Sequence, residues 1–285
     1  MKKEAKQYLR WLVAGALGVA FVDAFVLERY FFRVRRYHIG DQRARKVFKM
    51  VLITDLHLRH RLEIKYRRLA ARIRALQPDI LLISGDAIDQ YGRPEVLDNF
   101  LSLLDTDIPR VAIPGNHEHK NEATLNDICR IYQKHQVDLL VNATKTYRVQ
   151  DTSLTITGLD DSIEGQENFS EAIEGVDQVR YHIVLLHSPL QQESLLRQLR
   201  KVNRNRKKGE KLNVSYLFAG HNHGGQVTFF GLFPILLPKG AGNYVNGWYN
   251  DKKPYLYVSK GFGTSTVPFR FGARAEMTVL DYHYM

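Results

Sequence analysis

The chain has 285 residues, of which 25% are charged and 44% hydrophobic, as in a folded protein with one sizeable core. The single cysteine, Cys129, has no partner for an internal disulfide or a thiolate metal site, which excludes disulfide-stabilised and thiolate-zinc folds. The net charge of +11 does not by itself indicate nucleic-acid binding. Residues 1–46 and residues 197–211 each carry +7, and the remainder is slightly acidic.

An apolar run over residues 11–27 follows the basic N-terminus and is interrupted by Asp23 and small residues. It is near the lower length limit for crossing a bilayer, and no small-residue cleavage site follows it. We expect residues 1–27 to form a membrane-contact or transmembrane helix, placing the protein at the cell membrane as a single-pass or peripheral protein. Spanning the bilayer, lying flat on it and packing on the domain all stay open.

Residues 28–46 are interpreted as a basic linker. Basic residues flank the apolar run on both sides, so the charge asymmetry that sets orientation is small. We expect the domain that follows to lie on the cytoplasmic side.

From Val47 the sequence alternates short apolar runs with amphipathic patterns, which predicts one α/β domain over residues 47–285. Helices are predicted at residues 63–76, 94–104, 122–135 and 191–199. Buried strands are predicted at residues 50–53, 80–83, 110–113, 182–186 and 214–218. After Gly225, glycine-punctuated aromatic and β-branched segments, including residues 255–258 and 277–280, predict a second, mixed sheet.

Residue types that bind metal ions follow each of the five predicted strands directly. They are Asp55 with His57, Asp86, Asn116 with His117, His187, and His221 with His223. Ligands of open α/β sheets bind beyond the carboxyl ends of strands, so these side chains can converge in one crevice. A single such residue is more often structural. Metal-ligand residue types at the ends of all five predicted strands, however, specifically indicate a metal site. Gly85, Gly115 and Gly220 permit the tight turns that present the ligands.

The order of these motifs resembles the calcineurin-like metallophosphoesterase superfamily over about residues 47–285. The motifs are Asp55-Leu56-His57, Gly85-Asp86-Ala87-Ile88-Asp89, Gly115-Asn116-His117-Glu118, His187 and Gly220-His221-Asn222-His223. The resemblance implies a two-sheet α/β/β/α sandwich, preceded here by the N-terminal apolar helix. Gly224-Gly225-Gln226 and Tyr257-Val258-Ser259-Lys260-Gly261 further resemble a membrane-associated bacterial phosphodiesterase branch.

The resemblance also implies two divalent ions that share Asp86. One would be held with Asp55, His57 and His223, and the other with Asn116, His187 and His221. Imidazole, carboxylate and amide donors suit Mn, with Fe or Zn as alternatives, and two ions about 3.5–4 Å apart can clamp a phosphoryl group. His117 is expected to stabilise the transition state or protonate the leaving group, and Asp89 to orient His117.

The predicted reaction is hydrolysis of a phosphodiester or pyrophosphate bond. Residues 229–238, directly after the last ligand, are apolar and form either exposed surface beside the crevice or a buried hairpin. If exposed, they favour a membrane surface or anionic lipid as partner and a lipid-linked, UDP-diacylglucosamine-like substrate, which the resemblance also implies. The basic residues 204–208 would contact lipid headgroups if they lie on the same side as the N-terminal helix.

Two other functions stay open. A nuclease or nucleotide phosphodiesterase would bind a phosphate backbone with the basic segments, but the acidic remainder makes nucleic acid an unexpected partner. A non-catalytic metal-binding scaffold would be expected to have lost ligands, and all of them are present. The sequence predicts nothing about the oligomeric state.

Overall fold

The structure, a computed structural model, describes residues 2–120, 122–229, 231, 233–235 and 237–285. Helices form at all four predicted positions of the domain and differ from the predictions only near their ends. The helices are α1 (Lys2–Val22), α2 (Glu28–Tyr30), α3 (Ile64–Leu76), α4 (Pro94–Leu101), α5 (Asn116–His119), α6 (Glu122–Lys134), α7 (Phe169–Ala172) and α8 (Gln191–Arg204).

The strands of the described residues form two six-stranded mixed sheets and one short hairpin. They are β1 (Arg33–Gly40), β2 (Lys46–Ile53), β3 (Ile80–Ser84), β4 (Arg110–Ile113), β5 (Val137–Leu139), β6 (Ala143–Val149), β7 (Thr152–Gly158), β8 (His182–Leu185), β9 (Val214–Ala219), β10 (Thr228–Phe229), β11 (Phe233–Pro234), β12 (Gly247–Tyr249), β13 (Tyr255–Val258) and β14 (Glu276–Tyr284). The first sheet has the order β1-β14-β2-β3-β4-β5 and the second β12-β13-β9-β8-β7-β6.

Three apolar clusters hold the layers together. The central cluster joins the two sheets through side chains such as Met50 of β2 and Phe218 of β9. The other two clusters lie on the outer faces, where α3, α4 and α6 cover the first sheet and α7 and α8 cover the second. Strand β3 is buried along its whole length, which explains why it is an uninterrupted apolar run in the sequence. The predicted α/β/β/α sandwich is confirmed.

The interpretation of residues 28–46 as a linker is wrong. The N-terminal helix continues to Tyr30, and β1 begins after two intervening residues and pairs in parallel with β14. The arginines that made this segment resemble a linker bind acids of β14 instead, since Arg36 Nε lies 2.8 Å from Asp281 Oδ2. Charged side chains are typical of an edge strand, where they discourage pairing with other chains.

The N-terminal helix is present as predicted, with a π-helical segment at Asp23–Leu27 between α1 and α2. Its segment Glu4–Leu27 has 24 residues and a mean hydropathy of 1.7, which is long and apolar enough to cross a membrane by length and composition. A helix with these properties serves as an anchor or as a signal sequence. Only 6% of its most apolar stretch is buried against the protein, so it is not a core helix.

This helix enters the domain at the edge where the predicted site residues lie. Strands β2, β3 and β4 are parallel and end together, and β14, which is antiparallel to β2, begins there. Strand β1 runs parallel to β14 and therefore also begins at this edge, directly after the helix. The basic residues 204–208 lie between α8 and the amino end of β9, at the opposite edge of the second sheet.

Candidate dinuclear metal site

The seven predicted metal ligands lie together beyond the carboxyl ends of β2, β3, β4, β8 and β9. All are buried, with none more than 6% exposed: Asp55, His57, Asp86, Asn116, His187, His221 and His223. Strands β2, β3 and β4 of the first sheet and β8 and β9 of the second contribute ligands, so the cluster lies between the two sheets. Convergence of the strand ends, as the sequence predicted, brings these side chains into one crevice.

Five of these seven residues have left-handed backbone conformations. Their φ angles run from 45° to 70° at Asp55, His57, Asp86, His221 and His223. Residues with a Cβ seldom adopt this conformation, and where they do the surrounding structure must hold them in it. Backbone hydrogen bonds fix two of these residues in this conformation: Asp55 N–H donates to Gly85 O at 3.1 Å, and His57 N–H donates to Asp86 O at 2.9 Å.

Glycine is required beside these ligands for two different reasons. Gly85 has a φ of 81°, the conformational freedom that the sequence predicted. Gly220 is required by crowding, since a Cβ there would lie 2.0 Å from Thr54 Oγ1 and 2.4 Å from Asp55 Oδ2. A side chain at position 220 would therefore displace a ligand.

The first group of ligands comprises Asp55, His57 and His223, whose ligand atoms lie within 4.8 Å of one another. His57 Nε2 is 3.0 Å from His223 Nε2 and 3.5 Å from Asp86 Oδ2. His223 Nε2 is 3.6 Å from Asp55 Oδ1. Donors bound at roughly 2.0–2.2 Å around one ion are separated by about this much.

The second group comprises Asp86, His187 and His221, again with ligand atoms within 4.8 Å of one another. His187 Nε2 lies 3.3 Å from Asp86 Oδ2 and 3.2 Å from Asn116 Oδ1. The same Oδ2 of Asp86 therefore faces ligands of both groups, as a bridging carboxylate must.

Hydrogen bonds to the far ring nitrogens fix the orientation of two histidines. His187 Nδ1–H donates to Ser84 O at 3.0 Å, and His221 Nε2–H donates to Lys239 O at 2.7 Å. The opposite nitrogen of each ring is thereby left with a lone pair for a metal ion. His223 differs, because its Nδ1 accepts a hydrogen bond from Arg270 Nη2 at 3.0 Å.

The electrostatics of the crevice are those of a site made for cations. Burial alone would raise the pKa of Asp86, but His187, His57 and His117 hold it well below its ordinary value. Burial raises the pKa of Asp55, and the nearby charge of Asp86 raises it further. The pKa of His187 is well above its ordinary value despite burial, because Asp86 and Asp55 favour its cation.

The donor set fits two divalent ions. It offers imidazole, carboxylate and amide donors, and Cys129 is not part of it. Within the described part of the chain, His57 Nδ1 is buried without a hydrogen-bond partner and lies 3.7 Å from Asp89 Oδ2, so His57 Nε2 is the atom that faces the other donors. Asp55, His57 and His223 would hold one ion, and Asn116, His187 and His221 the other, with Asp86 between them.

The ligand atoms of Asp89, His117 and His57 lie within 4.8 Å of one another, but among the described residues no hydrogen bond joins Asp89 to His117. His117 Nδ1 accepts a hydrogen bond from the backbone N–H of Gln90 at 3.0 Å, so the backbone orients this ring. Asp89 Oδ2 accepts from Arg59 Nε at 3.1 Å and lies 3.7 Å from His57 Nδ1. Partial burial would raise the pKa of Asp89, but His57, the Tyr91 N–H and Arg59 together lower it. Asp89 therefore lies on the Nδ1 side of His57, opposite the Nε2 atom that faces the other metal ligands.

Two residues of the site were missed by the sequence reasoning. Glu118 Oε2 accepts from the N–H groups of Asp86 and Gly115 at 3.0 and 2.9 Å, which fixes the loops that carry Asp86 and Asn116. Burial raises the pKa of Glu118 to about 7. Its place in the Gly115–Glu118 motif was a usable signal. Arg270, fully buried and bonded to His223, gave no signal in the sequence.

A two-sheet sandwich with a buried cluster of imidazole and carboxylate donors at its strand ends defines a dinuclear metallohydrolase. The family model described as calcineurin-like phosphoesterase matches residues 48–225, and the chain belongs to that family. It is therefore a metallophosphoesterase, as the motifs predicted.

The chain is similar to curated proteins and to solved structures. The uncharacterized metallophosphoesterase YkuE of Bacillus subtilis (strain 168) is 26% identical, over 98% of this chain and 97% of its own. A transmembrane protein with metallophosphoesterase domain from Bos taurus is 26% identical, over 81% of this chain and 52% of its own. A dimetal phosphatase structure from Danio rerio has a TM-score of 0.45 at 14% identity, covering 83% of this chain and 99% of its own.

Proposed function

We propose that the protein hydrolyses a phosphodiester or pyrophosphate bond with two divalent ions, Mn²⁺ in first place and Fe or Zn as alternatives. The observation that carries this proposal is the position of Asp86 Oδ2, 3.5 Å from His57 Nε2 and 3.3 Å from His187 Nε2. When bound, two ions in such a site polarise the phosphoryl oxygens and lower the pKa of the attacking water.

His117 supports the reaction without binding a metal. Its Nδ1 is occupied as an acceptor, so the neutral ring carries its proton on Nε2. Burial lowers the pKa of His117 to about 4, which keeps the ring neutral near pH 7. It therefore acts as a hydrogen-bond donor that stabilises charge developing on the phosphoryl or leaving oxygen.

The substrate that we propose is lipid-linked, with a UDP-diacylglucosamine-like molecule as the specific candidate. Support comes from the N-terminal helix, which enters the domain at the same edge as the metal ligands. This arrangement suits a member of a membrane-associated bacterial branch whose domain sits on the cytoplasmic face and contacts anionic lipid. Transmembrane relatives with a metallophosphoesterase domain are in keeping with it.

Nuclease activity is the less favoured alternative. The basic residues 204–208 lie at the edge opposite the metal ligands, where they cannot guide a nucleic-acid backbone into the crevice. Comparing a UDP-linked diacylated sugar, phospholipids and single-stranded DNA as substrates of the full chain in detergent distinguishes these classes. Preferential turnover of single-stranded DNA would contradict the lipid proposal.

The metal mechanism is tested with Asp86→Ala and His117→Ala. Asp86→Ala is expected to lose both ions and all turnover of an aryl phosphodiester, because it removes the carboxylate common to both groups. His117→Ala is expected to keep its metal content, measured by elemental analysis, and to lose roughly 100-fold or more in kcat. Metal-loaded wild-type protein without chelator-sensitive turnover would refute the enzyme mechanism, and metal loss in His117→Ala would refute the role of His117.

A further inference from the structure

The hairpin formed by β10 and β11 exposes apolar side chains close to the metal site. It begins five residues after His223 and is followed by Ile235. Phe233 is 67% exposed and Ile235 64% exposed, and Phe229 on the other strand is 60% exposed. The structure thus decides that these residues form surface and not a buried hairpin. Neighbouring exposed apolar side chains usually mark a surface that contacts a partner.

The base of this hairpin is attached to the segment that precedes β14. Thr228 N–H donates to Phe271 O at 2.8 Å, and Phe271 N–H donates to Gln226 O at 2.9 Å. Gln226 Nε2 also donates to Phe269 O at 3.1 Å. These bonds fix the hairpin beside residues 269–271.

The same segment receives the end of the N-terminal helix. The rings of Phe25 and Phe269 lie 4.8 Å apart, and Ala24 O accepts the N–H of Arg270 at 3.3 Å. One turn later, Glu28 Oε2 accepts the N–H of Ala273 at 2.9 Å. The helix end and the hairpin base are therefore neighbours, joined through residues 269–273.

We propose that the hairpin of β10 and β11, together with Ile235, is a second membrane contact that enters the boundary between headgroups and acyl chains beside the N-terminal helix. The 24 residues of Glu4–Leu27 span about 36 Å, so the helix end at Phe25 lies at the bilayer surface. Aromatic and aliphatic side chains held there are favoured in the interfacial layer. This inference rests on the proposed position at the membrane and not on the proposed chemistry.

The contact would bring the metal crevice to the bilayer surface. Arg270, in the segment shared by helix and hairpin, donates both to His223 O and to His223 Nδ1. Arg270 thus contacts the metal ligand through its side chain and the helix end through its backbone N–H, and its neighbour Phe271 contacts the hairpin base. The phosphate of a lipid-linked substrate could reach the metals while its acyl chains stay in the bilayer.

The test uses the full chain in phospholipid vesicles, in a Cys129→Ser background, with a bimane fluorophore on Phe233→Cys. Brominated phospholipids are expected to quench this label roughly twofold or more, because interfacial side chains reach about 5–10 Å into the lipid. The matched control is Met285→Cys. Met285 is 61% exposed and directly follows β14, roughly 30 Å along the strand from Glu276, where β14 begins beside the metal site. Its label is expected to respond to aqueous iodide and not to brominated lipid.

Three results would overturn the proposal. A label on Phe233→Cys quenched by iodide but not by lipid places the hairpin in water. A label protected from both quenchers places it against protein, either a second copy or another partner. Failure of the full chain to float with vesicles refutes the membrane position as a whole. Lipid quenching without turnover of any phosphodiester refutes only the proposed chemistry and leaves the hairpin assignment standing.

Discussion

Arg270 is a fully buried cation whose replacement should destabilise the protein strongly. Its guanidinium donates to the carbonyl oxygens of Gly263, His223, Ala273 and Lys260 and to His223 Nδ1, at 2.8–3.2 Å. Arg270→Met keeps the apolar stem but removes all five of these hydrogen bonds, and of the acceptors His223 O keeps another donor, the Gln226 N–H at 3.0 Å. Each hydrogen bond that the charged guanidinium donates contributes about 1.5–3 kcal/mol to the free energy of unfolding. Burying the charge of Arg270 costs several kcal/mol, which offsets part of that sum.

We therefore expect Arg270→Met to lower the free energy of unfolding by about 3–5 kcal/mol, because each buried acceptor left without a donor costs about 1–3 kcal/mol and the removal of a buried charge offsets part of the sum. Urea unfolding of the metal-free protein in detergent measures this, because a bound metal would add its own stabilisation. Arg270→Lys keeps the charge but has three donors and a shorter reach, so it should lose less.

Arg110 supplies the matched control. It is 2% exposed, yet among the described residues its Nε and Nη1 atoms have no hydrogen-bond partner. Burial accordingly lowers the pKa of Arg110. Arg110→Met should cost less than about 1 kcal/mol or even stabilise the protein, since a buried cation with two unpaired donor atoms is unfavourable. Equal losses in Arg110→Met and Arg270→Met would refute the role given to the hydrogen bonds of Arg270.

Two further predictions concern crowding and pH. Gly220→Ala should abolish turnover of an aryl phosphodiester and lower metal content, because its Cβ would meet Thr54 and Asp55; Gly209→Ala, with open space around it, should match wild type in both measurements. Burial lowers the pKa of His182 from 6.5 to about 4, so protonation favours the unfolded chain and stability falls as the pH drops below about 6.5. Wild type should lose about 2 kcal/mol more than His182→Leu between pH 7.5 and about pH 5 in urea titrations, and parallel pH profiles would contradict this.

The sequence predicted the central strands and the metal ligands because both depend on local patterns. A strand buried on both faces is an apolar run, and a ligand at its carboxyl end is the next polar residue, as with Ile80–Ser84 and Asp86. Strand β1 escaped prediction because it is an edge strand rich in arginine, paired with acids more than 240 residues away. Strands β6 and β7, which pair with each other, also escaped prediction, because their threonine-rich sequences have only a weak apolar pattern.

The supporting residues of the site could not be predicted, because their roles arise from tertiary contacts. Arg270 lies 47 residues after His223 and meets it only when the segment before β14 folds back over the crevice. The ring of His117 is oriented by the backbone N–H of Gln90, which no side-chain motif encodes. Motifs thus identify the groups that touch the metals, whereas the groups that position them require the folded chain.

The short junction between helix and sheet has a mechanical consequence. Only Phe31 and Phe32 separate the helix from β1, and Phe32 packs against the outer core cluster of the first sheet, with its ring 5.0 Å from that of Phe262. A domain joined to a helix by a long flexible tether would sample many orientations relative to that helix. Here the junction has two residues and one of them packs into the core, so the direction of the helix is coupled to the orientation of the crevice.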